Sequence, residues 1–585
     1  MNAVEFYTTE EKKNNGVFYT PLFLANYLSQ KVVKYIGNVK NINSIIDPAC
    51  GDSILLRCFI NELIRKKTIN LPKIIGIDKD INAINSSSTI YKNKSLLNIN
   101  TKFIHTDALF PVKGKNSKEG WNELRKKLKN KNGFEIAISN PPWGAELNGY
   151  DTDTLNFNFT LAKGQFDIFD LFTEVILNNL KDNGIFGLIL PDSVFGYEQA
   201  RFRCLLSKNK TILLIARLGE KIFPEINRAC VIIVGKNNKA KRNHKVDCFR
   251  LSSCYKKKVI TNELSLLEVE KELIHKVPQS RFYENDNCMF DIDLKINEQY
   301  TFNKIQNNSL LFKNFVYNTR GAEISKKGLV CQCPQCEKWM PYPRAKHPKC
   351  NKCKSILNIE TIIKENIILS HSGLSNPKLK VGEDLFRYTS VSKRWINTFK
   401  DGINYKKLNI YKGDKILVRK TGVGITASID YENAVTNQVV YLLKLKPKFK
   451  NNISLEFVLA ILNSRVITYY LIKKYGENEW KSHPYLTQRM LVKLPFPKTD
   501  IKSQKVKILI NKVTNKIKNE ISYSKEKNIS KETDIFIERV VAYFFGLDKA
   551  DYNIIFETLR NSEQLIPIKR LMNFDTNDIF NTNGI

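Results

Sequence analysis

A chain of 585 residues is too long for a single hydrophobic core, so two or three domains are expected. Hydrophobic content of 42% with 11% aromatics excludes a mostly disordered chain, and no apolar run approaches the length that crosses a bilayer. Lys and Arg outnumber Asp and Glu by 93 to 58, a formal charge of +35, and such an excess implies a polyanionic partner.

The opening stretch MNAVEFYTTEEKKNNG lacks the apolar core of a signal peptide. A cytoplasmic protein is therefore expected, with its 12 cysteines read as thiols or metal ligands before disulfides. Up to about residue 240, short β-rich runs alternate with helical patterns, which predicts a mainly parallel sheet with helices on both faces. Strands are expected at Ser44–Asp47, Lys73–Asp78, Lys102–His105, Glu135–Ser139, Gly184–Pro191, Ile212–Arg217 and Cys230–Gly235. Between two of them, Phe166–Lys181 has apolar residues at helical spacing and closes before Asn183-Gly184.

The first strand runs into Asp47-Pro48-Ala49-Cys50-Gly51-Asp52-Ser53 and then the helix start Ile54-Leu55-Leu56. A small-residue turn of this kind lets backbone approach a ligand and aims a helix N-terminus at it. The second strand ends in Gly76-Ile77-Asp78, where a carboxylate can take both hydroxyls of a ribose. The third ends in Thr106-Asp107-Ala108-Leu109, where a carboxylate can accept from an adenine amino group; each acidic strand end is also a common helix cap.

The fourth strand ends in Asn140-Pro141-Pro142-Trp143. The mouth of a parallel strand is where open α/β sheets place ligands. An exocyclic amine is a poor nucleophile, because its lone pair is delocalised into the ring. The Asn amide oxygen and the next backbone carbonyl can accept both amine hydrogens, which pulls the nitrogen towards sp³ and frees the pair. Two prolines stiffen that backbone, and the aromatic fourth residue offers a stacking face for a base.

The run Phe18-Tyr19-Thr20-Pro21, DPACGDS, GID, TDAL and NPPW, in that order and followed by a long C-terminal region, resembles the gamma class of amino-group DNA methyltransferases. These are the Taq-like adenine-N6 enzymes of restriction–modification systems. The resemblance implies that Thr20, Pro21, Asp47, Ala49 and Gly51 hold the methionine part of S-adenosylmethionine. It further implies Asp78 on the ribose, Asp107 with Ala108 on the cofactor adenine, and Asn140 close to both cofactor and target. Asn140 and Pro141, backed by Pro142, would grip the target amine, with Trp143 and Phe223 stacked on a flipped-out base. Two departures stand out: Ser53 replaces a Gly common in the family, and Trp143 replaces the more usual Tyr or Phe.

Beyond a polar stretch, Cys333-Pro-Gln-Cys336 and Cys350-Asn-Lys-Cys353 form a paired CxxC arrangement suited to one structural zinc ion, with Cys331 as a competing fifth thiol and His347 as a surface residue. Basic and aromatic residues around Arg320, at Phe386-Arg387-Tyr388 and over Lys415–Lys420 suit a surface that grips phosphates and reaches base edges. After Pro497, Val506, Leu509, Ile510, Val513, Ile517 and Ile521 make one helical apolar stripe among nine lysines between Lys502 and Lys531.

The expected architecture is α/β. A Rossmann-like seven-stranded methyltransferase domain (1–240) is followed by a connecting region (241–300). A mixed α+β target recognition domain (301–500) carries a zinc ribbon at 331–355, and a helical C-terminal region (501–585) closes the chain. The expected function is methyl transfer from S-adenosylmethionine to adenine N6 in double-stranded DNA. Cytosine-N4, RNA adenine and protein glutamine methylation, and a catalytically idle specificity subunit, are the alternatives; Asn at the head of the tetrad favours adenine over cytosine N4. The methyltransferase pattern starts within twenty residues and no nuclease motif follows, so any restriction endonuclease is expected on a separate chain. No membrane partner is expected.

Overall fold

The computed structural model describes residues 20–580, apart from 40–41, 69, 93–98, 145–146, 148, 225–227, 326, 344, 346–347, 373–375, 477–484, 499, 501, 524–527 and 563–564. Phe18, Tyr19 and His347 lie outside the described residues. The chain divides near Ile296 into two compact units.

The first unit is built on a sheet of nine strands: β1 (Ser44–Asp47), β2 (Lys73–Asp78), β3 (Thr101–His105), β4 (Phe134–Ser139), β5 (Leu180–Pro191), β6 (Thr211–Gly219), β7 (Cys230–Lys236), β8 (Lys245–Arg250) and β9 (His275–Pro278). Their spatial order is β3-β2-β1-β4-β5-β7-β6-β8-β9. From β3 across to β5 all neighbours are parallel; β7 is antiparallel to both β5 and β6, and β9 to β8. The central runs are apolar on both faces because helices cover both: every residue of β1 is buried, as are Ile136, Ala137 and Ile138 of β4. The helix Leu22–Ile36 lies so close to β5 that a Cβ on Gly187 would stand 2.6 Å from Val32 Cγ2. Only glycine fits there.

The seven strands expected before residue 240 are present as β1 to β7, and the sheet extends to nine because the stretch expected as a connector carries two more. Its lysines hid them: Lys245 and Arg250 flank the buried Val246, Cys248 and Phe249, and β9 has only four residues. Glu270, from the helix Leu266–Leu273 in the same stretch, forms a buried ion pair with Lys31 and accepts from Tyr27 Oη at 2.8 Å. Cys204 and Cys288 form a disulfide with Cα atoms 5.2 Å apart, against the expectation that the unpaired-looking cysteines are thiols. A separation of 84 residues leaves no local spacing to read; Arg203 donating to Asn287 O at 3.1 Å brings the two segments together.

The second unit holds a four-stranded antiparallel sheet in the order Val316–Arg320, Val440–Leu445, Lys415–Arg419, Ala427–Asp430. A separate three-stranded sheet joins Trp339–Pro341, Leu329–Gln332 and Lys364–Asn366. Its longer helices include Leu455–Leu462, Arg465–Tyr475, Gln504–Tyr523, Lys531–Phe545 and Lys549–Arg560, and Val506, Leu509, Ile510, Val513 and Ile517 are the buried face of the longest. Among the described residues no single helix is long and apolar enough to cross a membrane.

Candidate active site

After β1 the chain passes to β2 and β3 on one side of the sheet, and β4 begins the other side. The ends of β1 and β4 therefore flank a topological switch point, the crevice in which such sheets bind ligands.

On one side of the crevice stand the three acidic strand ends. Asp47 Oδ1 accepts from Ala49 N at 3.0 Å and from Ser139 Oγ at 2.7 Å, so the last residues of β1 and β4 are tied directly. Burial, reinforced by Asp78, pushes the Asp47 carboxyl up to about 7 in spite of both hydrogen bonds. Asp78 accepts Gly51 N at 2.9 Å and Asp80 N at 2.9 Å, and burial raises its pKa as well. Asp107 accepts Leu109 N at 2.9 Å and Tyr150 Oη at 2.5 Å. Burial and this carboxylate push the Tyr150 phenol upward. Ala108 is buried, its carbonyl taking Trp121 Nε1 at 2.8 Å.

The turn between β1 and its helix is tight: Gly51 has φ +50° and Ser53 φ +62°. Ser53 thus occupies left-handed backbone that costs a non-glycine residue roughly 1 kcal/mol, which explains why glycine suits the position. A Cβ built on Gly51 meets nothing within 4 Å, so open space faces the turn. Each carboxylate of Asp78 and Asp107 offers about four lone-pair sites, more than the protein contacts use. An open cradle beside acceptors suits the ribose hydroxyls and adenine amine of a nucleoside cofactor.

Across the crevice, Asn140 Nδ2 donates to Thr20 Oγ1 at 3.0 Å, which joins the tetrad to the residue before Pro21, the N-cap of Leu22–Ile36. Trp143 is 2% exposed and meets Phe223 edge to face, ring centroids 5.1 Å apart at 78°. Rings that sandwich a base stand about 7 Å apart, twice the ~3.4 Å stacking step, so this pair is closed on itself. The peptide after Trp143 is held at both poles: its carbonyl accepts from Arg228 Nη1 at 3.0 Å and its N–H donates to Asp167 Oδ1 at 2.8 Å. Tyr150, Asp167 and Arg228 were not singled out in the sequence. No spacing rule links them to the motifs, because each arrives from a separate loop.

In the second unit, the thiols of Cys333, Cys336, Cys350 and Cys353 lie within 4.8 Å of one another. Two sulfur pairs, Cys333–Cys353 and Cys336–Cys350, are 3.7 Å apart. A tetrahedron of ~2.3 Å metal–sulfur bonds has edges of about 3.8 Å, so the four thiols can hold one metal ion. Cys331 is instead packed with Met340 and Leu357. Of the basic and aromatic surface candidates, two are buried and a third is half-buried on a carboxylate. Lys415 is fully buried on Asp430 and Tyr411 O, Arg387 grips Asp534 at 2.6 and 2.7 Å, and Tyr388 is 0% exposed. Arg320 and Lys420 stay near the surface, the one paired with Glu323 at 2.5 Å and the other 5.9 Å from the Tyr485 ring centroid.

Residues 3–309 match the family described as N-6 DNA methylase, and residues 377–496 match the TaqI-like C-terminal specificity domain. The methylase subunit of the type I restriction enzyme EcoEI from Escherichia coli is 25% identical over 221 residues, which cover 36% of this chain and 40% of that protein. The corresponding MpnII subunit from Mycoplasma pneumoniae is 26% identical over 250 residues, 41% of this chain and 44% of its own. The chain thus spans less than half the length of these curated relatives. Among solved structures, the type IIL restriction-modification enzyme MmeI in complex with DNA shares the fold, with a TM-score of 0.58 at 11% identity over 96% of this chain and 80% of that one. With the family match extending over more than half of its length and the acidic strand ends and Asn-Pro-Pro-Trp tetrad facing one crevice, the chain belongs to the N-6 DNA methylase family.

Proposed function

We propose that this chain is a site-specific DNA methyltransferase of a restriction–modification system, acting on the N6 amine of adenine in double-stranded DNA. The observation that carries the reading is the tie between the two halves of the crevice. Asp47 takes Ser139 Oγ at 2.7 Å, and the very next residue, Asn140, is oriented by Thr20 at 3.0 Å. S-adenosylmethionine, when bound along Gly51, Asp78 and Asp107, supplies the methyl group. With its Nδ2 committed to Thr20, Asn140 presents Oδ1 as an acceptor for one amine hydrogen, and Pro141 O takes the other. The amine lies inside a duplex, so the target leaves the stack and enters the crevice beside Trp143 and Phe223.

The formal charge of +35 supports a duplex partner, and the specificity-domain match supports target reading by the second unit. The four thiols fit a structural Zn²⁺ that stabilises this unit, since all four positions of the tetrahedron are filled by cysteine. A cognate restriction endonuclease and a cytoplasmic location would accompany this role. Sequencing with modified-base detection, on DNA from cells expressing the chain, tests the reading. N6-methyladenine at one recurrent site is expected; methylcytosine, or no modified base, overturns it.

A further inference from the structure

The Trp143–Gly144 peptide is gripped by two oppositely charged side chains from two distant loops. Arg228 Nη1 donates to its carbonyl at 3.0 Å and Asp167 Oδ1 accepts from its N–H at 2.8 Å. Glycine is favoured between them. Gly144 has φ +57°, and a Cβ there would stand 2.5 Å from Arg228 Nη1. Asp167 is itself braced: it precedes the helix Ile168–Asn179, and its backbone N–H is accepted at 2.8 Å by Asp170, whose same oxygen takes Gln199 Nε2 at 2.9 Å. Arg228 follows Phe223 by five residues in the β6–β7 connection, and Phe223 is the ring in contact with Trp143. The prolines before Trp143 stiffen the segment, so fixing the plane of this one peptide fixes the register of the acceptors at Asn140 and Pro141.

We propose that Asp167 and Arg228 are positioning residues that clamp the Trp143–Gly144 peptide. Between them they set the amine acceptors on one side and the Trp143 ring on the other. Because Arg228 and Phe223 share the β6–β7 connection, a base that displaced Phe223 from Trp143 would also bear on the clamp. This inference rests on the methyl-transfer reading for its catalytic consequence, but not for its geometry.

Two measurements separate the two. The first is backbone hydrogen exchange in the full chain, resolved at Gly144 N–H, which follows Pro141, Pro142 and Trp143. Exchange is expected to rise in Asp167→Ala and to stay near wild type in Asp167→Asn, which keeps an acceptor oxygen. Equal protection in all three proteins overturns the clamp, whatever the chain methylates. The second is steady-state methylation of a duplex carrying the site found in vivo. Asp167→Ala and Arg228→Ala are each expected to lose about 10- to 100-fold in kcat, as small misplacements of a reacting group do, with KM for DNA little changed. Arg228→Lys and Asp167→Asn should recover part of it. The double variant should lose no more than the worse single one, because both side chains hold the same peptide. A rise in KM with kcat intact overturns the proposal and makes the exposed Arg228 a phosphate contact, and losses that multiply in the double variant overturn it as well. Wild-type protein that methylates no DNA defeats the methyl-transfer reading and leaves the exchange measurement to decide the clamp.

Discussion

The crevice of the first unit and the cysteine cluster of the second are both small constellations of side chains, yet they are supported in opposite ways. The crevice is mounted on β1 and β4, central strands of a nine-stranded sheet, with Ile45, Ala137 and Ile138 entirely buried beneath it. The cluster sits in turns beside strands of only three and four residues, with Cys331, Met340 and Leu357 as its small apolar support. A site on a deep core can lose one polar group and keep its shape. A site with little core would draw its stability from an ion held by the four thiols, since metal binding and folding are coupled in such segments.

The sharpest test of that contrast is Asn140→Ala. Removing one acceptor at a reacting centre costs about 2.7–4 kcal/mol, so kcat should fall by two to three decades. Cofactor affinity, read by calorimetric titration, should hold within about threefold, because the strand ends beneath do not depend on the amide. Activity within a factor of about three of wild type would remove Asn140 from the mechanism.

The opposite behaviour is expected of Cys350→Ser/Cys353→Ser. Elemental analysis of freshly purified wild type should find one zinc per chain, and the double variant should have none. Specific DNA binding should weaken by about tenfold or more as the segment loses its fold, while cofactor binding is spared. Wild-type protein without stoichiometric zinc would erase the contrast, and loss of cofactor binding would show that the two regions are coupled.

A smaller effect probes the closed aromatic pair. With 2-aminopurine at the target position, wild-type binding should give little fluorescence gain if Trp143 quenches the extruded base. Trp143→Ala should then give a clear gain. No change with either protein argues against base extrusion.

The smallest effect concerns the tie itself. The Asp47 carboxyl is raised by burial to about 7 from an ordinary 3.8, so the folded state binds its proton more tightly than the unfolded chain does. The stability this contributes is present below about pH 4 and is lost as pH rises towards 7. Asp47→Asn keeps an acceptor and removes the titration. Its unfolding free energy should therefore vary less over this window than that of wild type, in denaturant melts of the cofactor-free protein. Parallel pH profiles would contradict the burial argument.

How legible each region was in the sequence follows the same contrast. The strand ends could be read because each motif is contiguous and its apolar run marks the strand that carries it. The paired CxxC could be read because metal geometry imposes a spacing. Tyr150, Asp167 and Arg228 could not, since each reaches the crevice by tertiary packing alone. Nor could the roles of Lys415 and Arg387, because a cation on a strand or loop reads the same whether it meets solvent or a buried carboxylate such as Asp430 or Asp534. β8 and β9 were missed because a few buried residues lie between charged ones.

The hydrogen bond from Ser139 to Asp47 has a wider consequence. It joins the final residues of two adjacent parallel strands, so the gap between the Asp47 side and the Asn140 side of the crevice is inherited from the sheet's own inter-strand repeat of about 4.8 Å. No loop sets that gauge. Rim loops other than those carrying Asp167 and Arg228 can lengthen, shorten or change composition, and an insertion as large as the cysteine segment can arise elsewhere in the chain, without altering that strand spacing.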